Sequence, residues 1–140
     1  MRTFILKEQG EPYSTKQIHT PQDAYEMLRP IYDTLDDGQE HFVVLFLNSK
    51  NQPVYWKNVF SGGKNATYVD VVIVLRSALL CGATSILLSH NHPSGDVQPS
   101  EDDIEITCKI KKACELIDIT LVDHIIVGNG FYSMKENEDM

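Results

Sequence analysis

What this sequence lacks narrows its chemistry before any motif is read. Cysteine is scarce and odd in number: Cys81, Cys108 and Cys114 are the whole complement. They form no C-x-x-C, which argues against a thiolate zinc ribbon, a thioredoxin-type redox pair or a disulfide framework. Buried thiols in a reducing compartment are expected instead. Basic residues are also few, with 12 Lys and Arg against 20 Asp and Glu, for a formal charge of −8. Nonspecific binding to nucleic acid draws its free energy from counterions released under a basic face, so no strong nucleic-acid binding is expected. No run approaches the length needed to span a membrane, and Met1 to Glu8 is too short in apolar content for a secretion signal. The expected setting is cytoplasmic.

What is present suits one domain: 140 residues, of which 42% are apolar, can bury a core without staples. Residues 1–140 are read as that domain, with 1–19 as a short strand and arm and 135–140 as a frayed tail. Thr20-Pro21-Gln22-Asp23 is a helix start, with a capping Thr, Pro at the first position and an acid three residues on. That helix should run toward Asp36-Asp37 and stop at Gly38, with Pro30 kinking or splitting it. His41 to Leu47 is apolar on both faces, as a central strand would be, and Pro53 to Phe60 completes a hairpin with it. Ser61 to Asn65 reads as a loop. Val69 to Cys81 is ambiguous between strand and helix; its length and Ala78-Leu79-Leu80 favour a buried helix ended by Gly82. A strand over Thr84 to His90, a loop to Pro99, a helix over Ser100 to Ile117 and a strand over Ile119 to Val127 follow. A turn at Gly128-Asn129-Gly130 leads into a last short strand. The alternation predicts an α/β fold, a mixed sheet with helices on both faces.

The segment that carries chemistry runs from Ser89 to Asp103. His90 and His92 stand two apart at the end of a buried strand, so both imidazoles project to one side, a good way to present two zinc ligands. The apolar stripe of the next helix, Ile106, Ile110, Ala113 and Ile117, extends backward onto Asp103, while Glu101, Glu105, Lys109 and Lys112 fall outside. A carboxylate on an inward face needs a cation. Two histidines and an aspartate leave a fourth tetrahedral position open, as catalytic zinc sites do. Ser100-x-x-Asp103 also fits a capping box; the readings are compatible if one carboxylate oxygen meets an amide and the other a metal. Hydrolysis further needs a base, and Glu40, entering the central strand ahead of Phe42, is the best candidate. Spacing alone favours the plainer reading of a solvated acid closing the preceding loop. Asp123 and His124 read as core groups or as supports behind the ligands, with direct ligation the lesser alternative.

With these residues in place a family resemblance emerges. His90-Asn91-His92-Pro93-Ser94-Gly95, then Pro99-Ser100-x-x-Asp103, resembles the JAMM (MPN-type) metalloprotease signature. Leu121 to Val127 and Tyr132-Ser133 narrow the resemblance to the RadC family, over residues 22 to 134. It implies a three-layer αβα, cytidine-deaminase-like fold around one zinc, Zn2+ being held by His90, His92 and Asp103. It places the catalytic glutamate at Glu40 and gives Ser100 the task of holding the oxyanion or the water. Active members of the wider family cleave peptide or isopeptide bonds, so a peptide or protein substrate is implied; RadC proteins carry a DNA-repair label that does not establish a reaction. Two departures stand out. Val71-Val72-Ile73 replaces a Pro-Arg-Glu common before the helix, and there is no room for the N-terminal helix-hairpin-helix region of longer members.

Other readings are a non-catalytic interaction module with an idle metal, a nuclease and a zinc deaminase. A module has no need of an open metal position. The nuclease rests on the letters His-Asn-His, here two residues on one strand face without a basic groove. The deaminase needs His-x-Glu and Pro-Cys-x-x-Cys, both absent.

Overall fold

Thr20 starts the first helix by the expected means. Its hydroxyl accepts the Asp23 N–H at 3.1 Å, and the Asp23 carboxylate accepts the Thr20 N–H in return, closing a capping box around Pro21. In the computed structural model, which describes residues 14–61 and 69–140, this helix (α1) spans Pro21–Thr34. It runs through Pro30 without splitting and ends short of Asp36, at a Leu35 cap. The strands are β1 (His41–Leu47), β2 (Pro53–Ser61), β3 (Ser85–Asn91), β4 (Thr120–Gly128) and β5 (Gly130–Ser133). The remaining helices are α2 (Val71–Leu80) and α3 (Glu101–Leu116). Residues 62–65 of the expected loop and 1–13 of the expected strand and arm lie outside the described residues.

The sheet is mixed and five-stranded, in the order β2-β1-β3-β4-β5, with β3 and β4 parallel and every other pair antiparallel. Helices cover both faces. On one side Phe42, Val44, Phe46, Ile86 and Leu88 pack with Val74 and Ala78 of α2 and Ile106, Ile110 and Cys114 of α3. On the other, Val43, Leu45, Leu47, Leu87 and Ile125 pack with Ala24, Leu28 and Ile31 of α1. β1 is buried along its whole length because it is a central strand covered on both faces. The expected αβα layering is the observed one.

Four expectations need correction. α2 is a helix but not a buried one: only Val74 and Ala78 are inside, while Val72 and Leu79 are more than half exposed, because the helix rests on the sheet with nothing outside it among the described residues. The inner line of α3 is Asp103, Ile106, Thr107, Ile110 and Cys114, not Ala113 and Ile117; Ile117 is the C-cap and faces out. Of the three cysteines only Cys114 is buried, and all three are free thiols. The segment 135–140 does not fray. Backbone bonds from Asn137 N–H to Ser133, Glu138 N–H to Lys135 and Asp139 N–H to Met134 fold it onto β5, and Tyr132 donates to the Asp139 carboxylate.

Candidate metal centre

Three chain segments meet above the α3 side of the sheet. β3 delivers His90, fully buried, and His92 just past its end; α3 delivers Asp103 from its first turn; the residue before β1 is Glu40. One ligand atom from each of Glu40, His90, His92 and Asp103 lies within 4.8 Å of all the others. Three of them form a tighter triangle. His90 Nε2 and His92 Nε2 are 2.9 Å apart, and Asp103 Oδ2 stands 3.2 Å from the first and 3.4 Å from the second. Zinc bonds of about 2.0–2.1 Å at tetrahedral angles put neighbouring ligand atoms about 3.3 Å apart. The triangle therefore fits such an ion in both donor type and edge length, with Glu40 farther out.

Local structure explains why the side chains converge. His92 Nδ1 meets the Asp96 carbonyl at 2.7 Å; a carbonyl only accepts, so Nδ1 carries a proton and Nε2 turns toward the cluster. The loop holding His92 lies against the end of β4, where His92 N–H donates to Val127 and Asn129 N–H to Gly95. That approach needs two glycines. A Cβ at Gly128 would come 2.6 Å from the Gly95 carbonyl oxygen, and Gly95 itself has φ +90° with Asn129 against it. Ser100 caps α3 as the capping-box reading requires, its hydroxyl accepting the Asp103 N–H at 3.0 Å. The return bond corrects one expectation. Asp103 does not divide its oxygens between amide and metal; the same Oδ2 that faces both imidazoles also accepts the Ser100 N–H at 2.8 Å.

The charges follow from this packing. Burial works against the Asp103 carboxylate, yet the His90 and His92 imidazoles that face it outweigh burial and hold its pKa well below the usual range. His92 is pushed up, first by its bond to Asp103, against burial. Burial raises Glu40, with the imidazoles pulling the other way.

His124 does not join the cluster. It is fully buried on β4 and its Nε2 meets His90 Nδ1 at 2.7 Å, so it supports a ligand from behind. Burial holds its pKa well below the usual histidine value. Asp123, its neighbour on the strand, belongs to the opposite side and accepts from His124 N–H, Lys135 N–H and the Ser133 hydroxyl. Sequence reasoning missed three residues. Thr107 stands one turn beyond Asp103 with its hydroxyl 2.5 Å from His124 Nδ1. Asn91 brackets Glu40, accepting from His41 N–H at 2.6 Å and donating to the Gln39 carbonyl at 3.0 Å. Phe42 stacks on the His90 ring, the planes 5° apart. A hydroxyl four residues after Asp103 on an inward helix face was the one available signal for Thr107.

Comparison with known proteins agrees with this geometry. The model of the RadC-like JAB domain family matches residues 18–139. A UPF0758 protein of Listeria monocytogenes is 43% identical over 136 residues, 96% of this chain and 58% of its own length. The UPF0758 protein of Clostridium kluyveri is 42% identical over the same shares, and one from Coprothermobacter proteolyticus is 39% identical over 87% of this chain and 53% of its own. The chain thus spans little more than half the length of these curated relatives. A mixed five-stranded sheet between helices, a cluster of Glu40, His90, His92 and Asp103 able to hold a metal, and a family match over residues 18–139 lead to one assignment: the chain belongs to the RadC-like JAB domain family.

Proposed function

We propose that this chain is a zinc-dependent hydrolase of the JAMM type that cleaves a peptide or isopeptide bond, His90, His92 and Asp103 holding the ion and Glu40 serving as general base. The observation that carries the reading is the position of Glu40. Its half-buried carboxylate is within 4.8 Å of all three ligand atoms, near enough to reach a water on an ion held by them. A zinc ion at the triangle supplies a Lewis acid that lowers the pKa of water to about 7 and polarises a carbonyl.

The protein groups do the rest. Glu40 takes a proton from the attacking water on its carboxylate and returns it to the departing amine nitrogen. Burial raises its pKa, which brings it closer to the pH at which it must both accept and release that proton. One lone pair of the Ser100 hydroxyl accepts the Asp103 N–H, which leaves the hydroxyl proton free to donate to a carbonyl oxygen as negative charge develops there. We read the partner as a peptide or protein in the cytoplasm. With a net charge of −8, strong nucleic-acid binding is not part of the proposal, nor is a membrane: among the described residues no helix is long and apolar enough to cross one.

The test is a peptide and isopeptide library scored for zinc-dependent cleavage by the wild type and by Glu40→Gln. The variant should keep its fold and one zinc per chain and lose about 10²–10⁴-fold in rate, the usual contribution of a general base. Undiminished cleavage by the variant removes Glu40 from the mechanism. A zinc-loaded wild type that cleaves no library member favours a non-catalytic interaction module.

A further inference from the structure

We propose that Thr107 decides, through His124, which nitrogen of His90 carries the proton, and so presents the His90 Nε2 lone pair to the metal ready-made. The inference deepens the metal-site reading and rests on it. It starts from an ambiguity. His92 has its tautomer set directly by the Asp96 carbonyl, a group that can only accept. His90 has no such partner. Its Nδ1 faces His124 Nε2 at 2.7 Å, and an imidazole nitrogen can donate or accept, so the pair alone leaves the proton of His90 undecided.

The ambiguity is resolved one step farther back. Thr107 Oγ1 lies 2.6 Å from the backbone carbonyl of Asp103 and 2.5 Å from His124 Nδ1. The carbonyl accepts, so the single hydroxyl proton of Thr107 goes there. The Thr107 oxygen then has only lone pairs for His124, and His124 Nδ1 must be the donor. The His124 ring is fully buried and its own hydrogen-bond partners, His90 and Thr107, include no carboxylate, which keeps it neutral; a neutral ring protonated at Nδ1 has a bare Nε2. That nitrogen accepts from His90 Nδ1–H, and the remaining nitrogen of His90, Nε2, is the one at 2.9 Å from His92 and 3.2 Å from Asp103. Every hydrogen bond in the run points the same way, from His90 through His124 and Thr107 to an oxygen that cannot donate. The terminus is the main chain of Asp103, whose side chain is itself a corner of the triangle, so the first turn of α3 both supplies one ligand and orders another. All of these groups are buried, and no solvent competes for the bonds.

Thr107 is thus a positioning residue, and its hydroxyl is separable from its bulk. Thr107→Val keeps the shape and removes the hydroxyl; Thr107→Ser keeps the hydroxyl and loses a methyl group. With valine, His124 can turn its proton to Nε2, which forces His90 into the tautomer with a proton on Nε2, where the metal must bind. Zinc affinity, measured by competition with a chromogenic chelator, should fall about 10–100-fold in Thr107→Val, the usual loss when a ligand's partner is removed. It should recover in Thr107→Ser. The second readout needs neither metal nor activity. Long-range proton–nitrogen NMR of the metal-free protein, labelled at its imidazole nitrogens, should show His90 and His124 protonated at Nδ1 in the wild type and in Thr107→Ser. Thr107→Val should show a mixed or reversed pattern. A wild-type His90 with no proton at Nδ1, a Thr107→Val protein with wild-type affinity and spectrum, or a Thr107→Ser protein as impaired as Thr107→Val would each overturn the proposal. If the wild type binds no zinc, the hydrolase reading falls by itself, and the tautomer spectra still decide the role of Thr107.

Discussion

Phe42 and His90 are antiparallel partners across β1 and β3, and that one register brings Glu40 to the His90, His92 and Asp103 cluster. Two residues back along β1 and two forward along β3, Glu40 comes opposite His92, on the same face as both. Neither residue lies inside the ladder; the side chain of Asn91 extends it by pairing with the backbone on either side of Glu40.

Removing that bracket should misplace the base without touching the ligands. In Asn91→Ala, cleavage of whichever library peptide the wild type accepts should slow by about 10²-fold, the cost of a displacement on the order of 1 Å at a reacting group. Zinc affinity should stay within a few-fold of wild type. An equal loss in both would assign Asn91 to the ligands instead.

His92→Ala should abolish tight zinc binding, because the triangle loses a corner that nothing nearby replaces. Saturating the wild type at about 100 times its Kd should add roughly 2.7 kcal/mol of stability, and the variant should gain next to nothing. Thermal melts with and without zinc, paired with elemental analysis, check this. Stoichiometric zinc in purified His92→Ala means the ligand assignment is wrong.

The two roles of the Ser100–Asp103 pair can be pulled apart. Asp103→Asn keeps an oxygen for the Ser100 N–H but loses the charge, so zinc affinity should drop while helix α3 stays formed in the metal-free protein. Ser100→Ala removes the cap and should cost about 0.5–2 kcal/mol in urea unfolding with the ligands intact. If Asp103→Asn binds zinc as the wild type does, Asp103 serves only the helix.

Asp123 gives the pH prediction. Burial raises its carboxyl despite the bonds from Ser133, Lys135 and His124, so the folded state holds the proton more tightly than the unfolded one. The ionised form therefore costs stability at neutral pH, and the cost is relieved as pH falls through the raised pKa. Asp123→Asn, whose amide oxygen can serve the two N–H groups and whose NH2 can meet Ser133, should gain on the wild type as pH rises from about 4 to 7. Urea midpoints across that range that move in parallel for the two proteins would refute this.

What was legible in the sequence was what is decided locally. Thr20 and Ser100 announced their helices because a cap and its acid lie three residues apart, and His90, His92 and Asp103 fell together because strand and helix periods are short-range rules. Glu40 needed the pairing of β1 with β3, a contact between segments 50 residues apart, as His41 and Asn91 show. A stripe through Ala113 and Ile117 leaves Thr107 off the inner face of α3, whereas the buried line turns to Cys114 and includes it. Nothing in the composition of the tail foretells the bonds that Ser133, Met134 and Lys135 make to it.

One feature of chain order sets the site apart from a typical catalytic constellation gathered from all over a fold. His90, His92, Asp103, Thr107 and His124 all belong to the single stretch β3–α3–β4, and Glu40 alone arrives from the hairpin. In the proposed division of roles, holding an ion and moving a proton therefore fall on different pieces of the polypeptide. A lineage could surrender turnover by changing residue 40 and retain an intact metal pocket, leaving a descendant that still binds and no longer cuts.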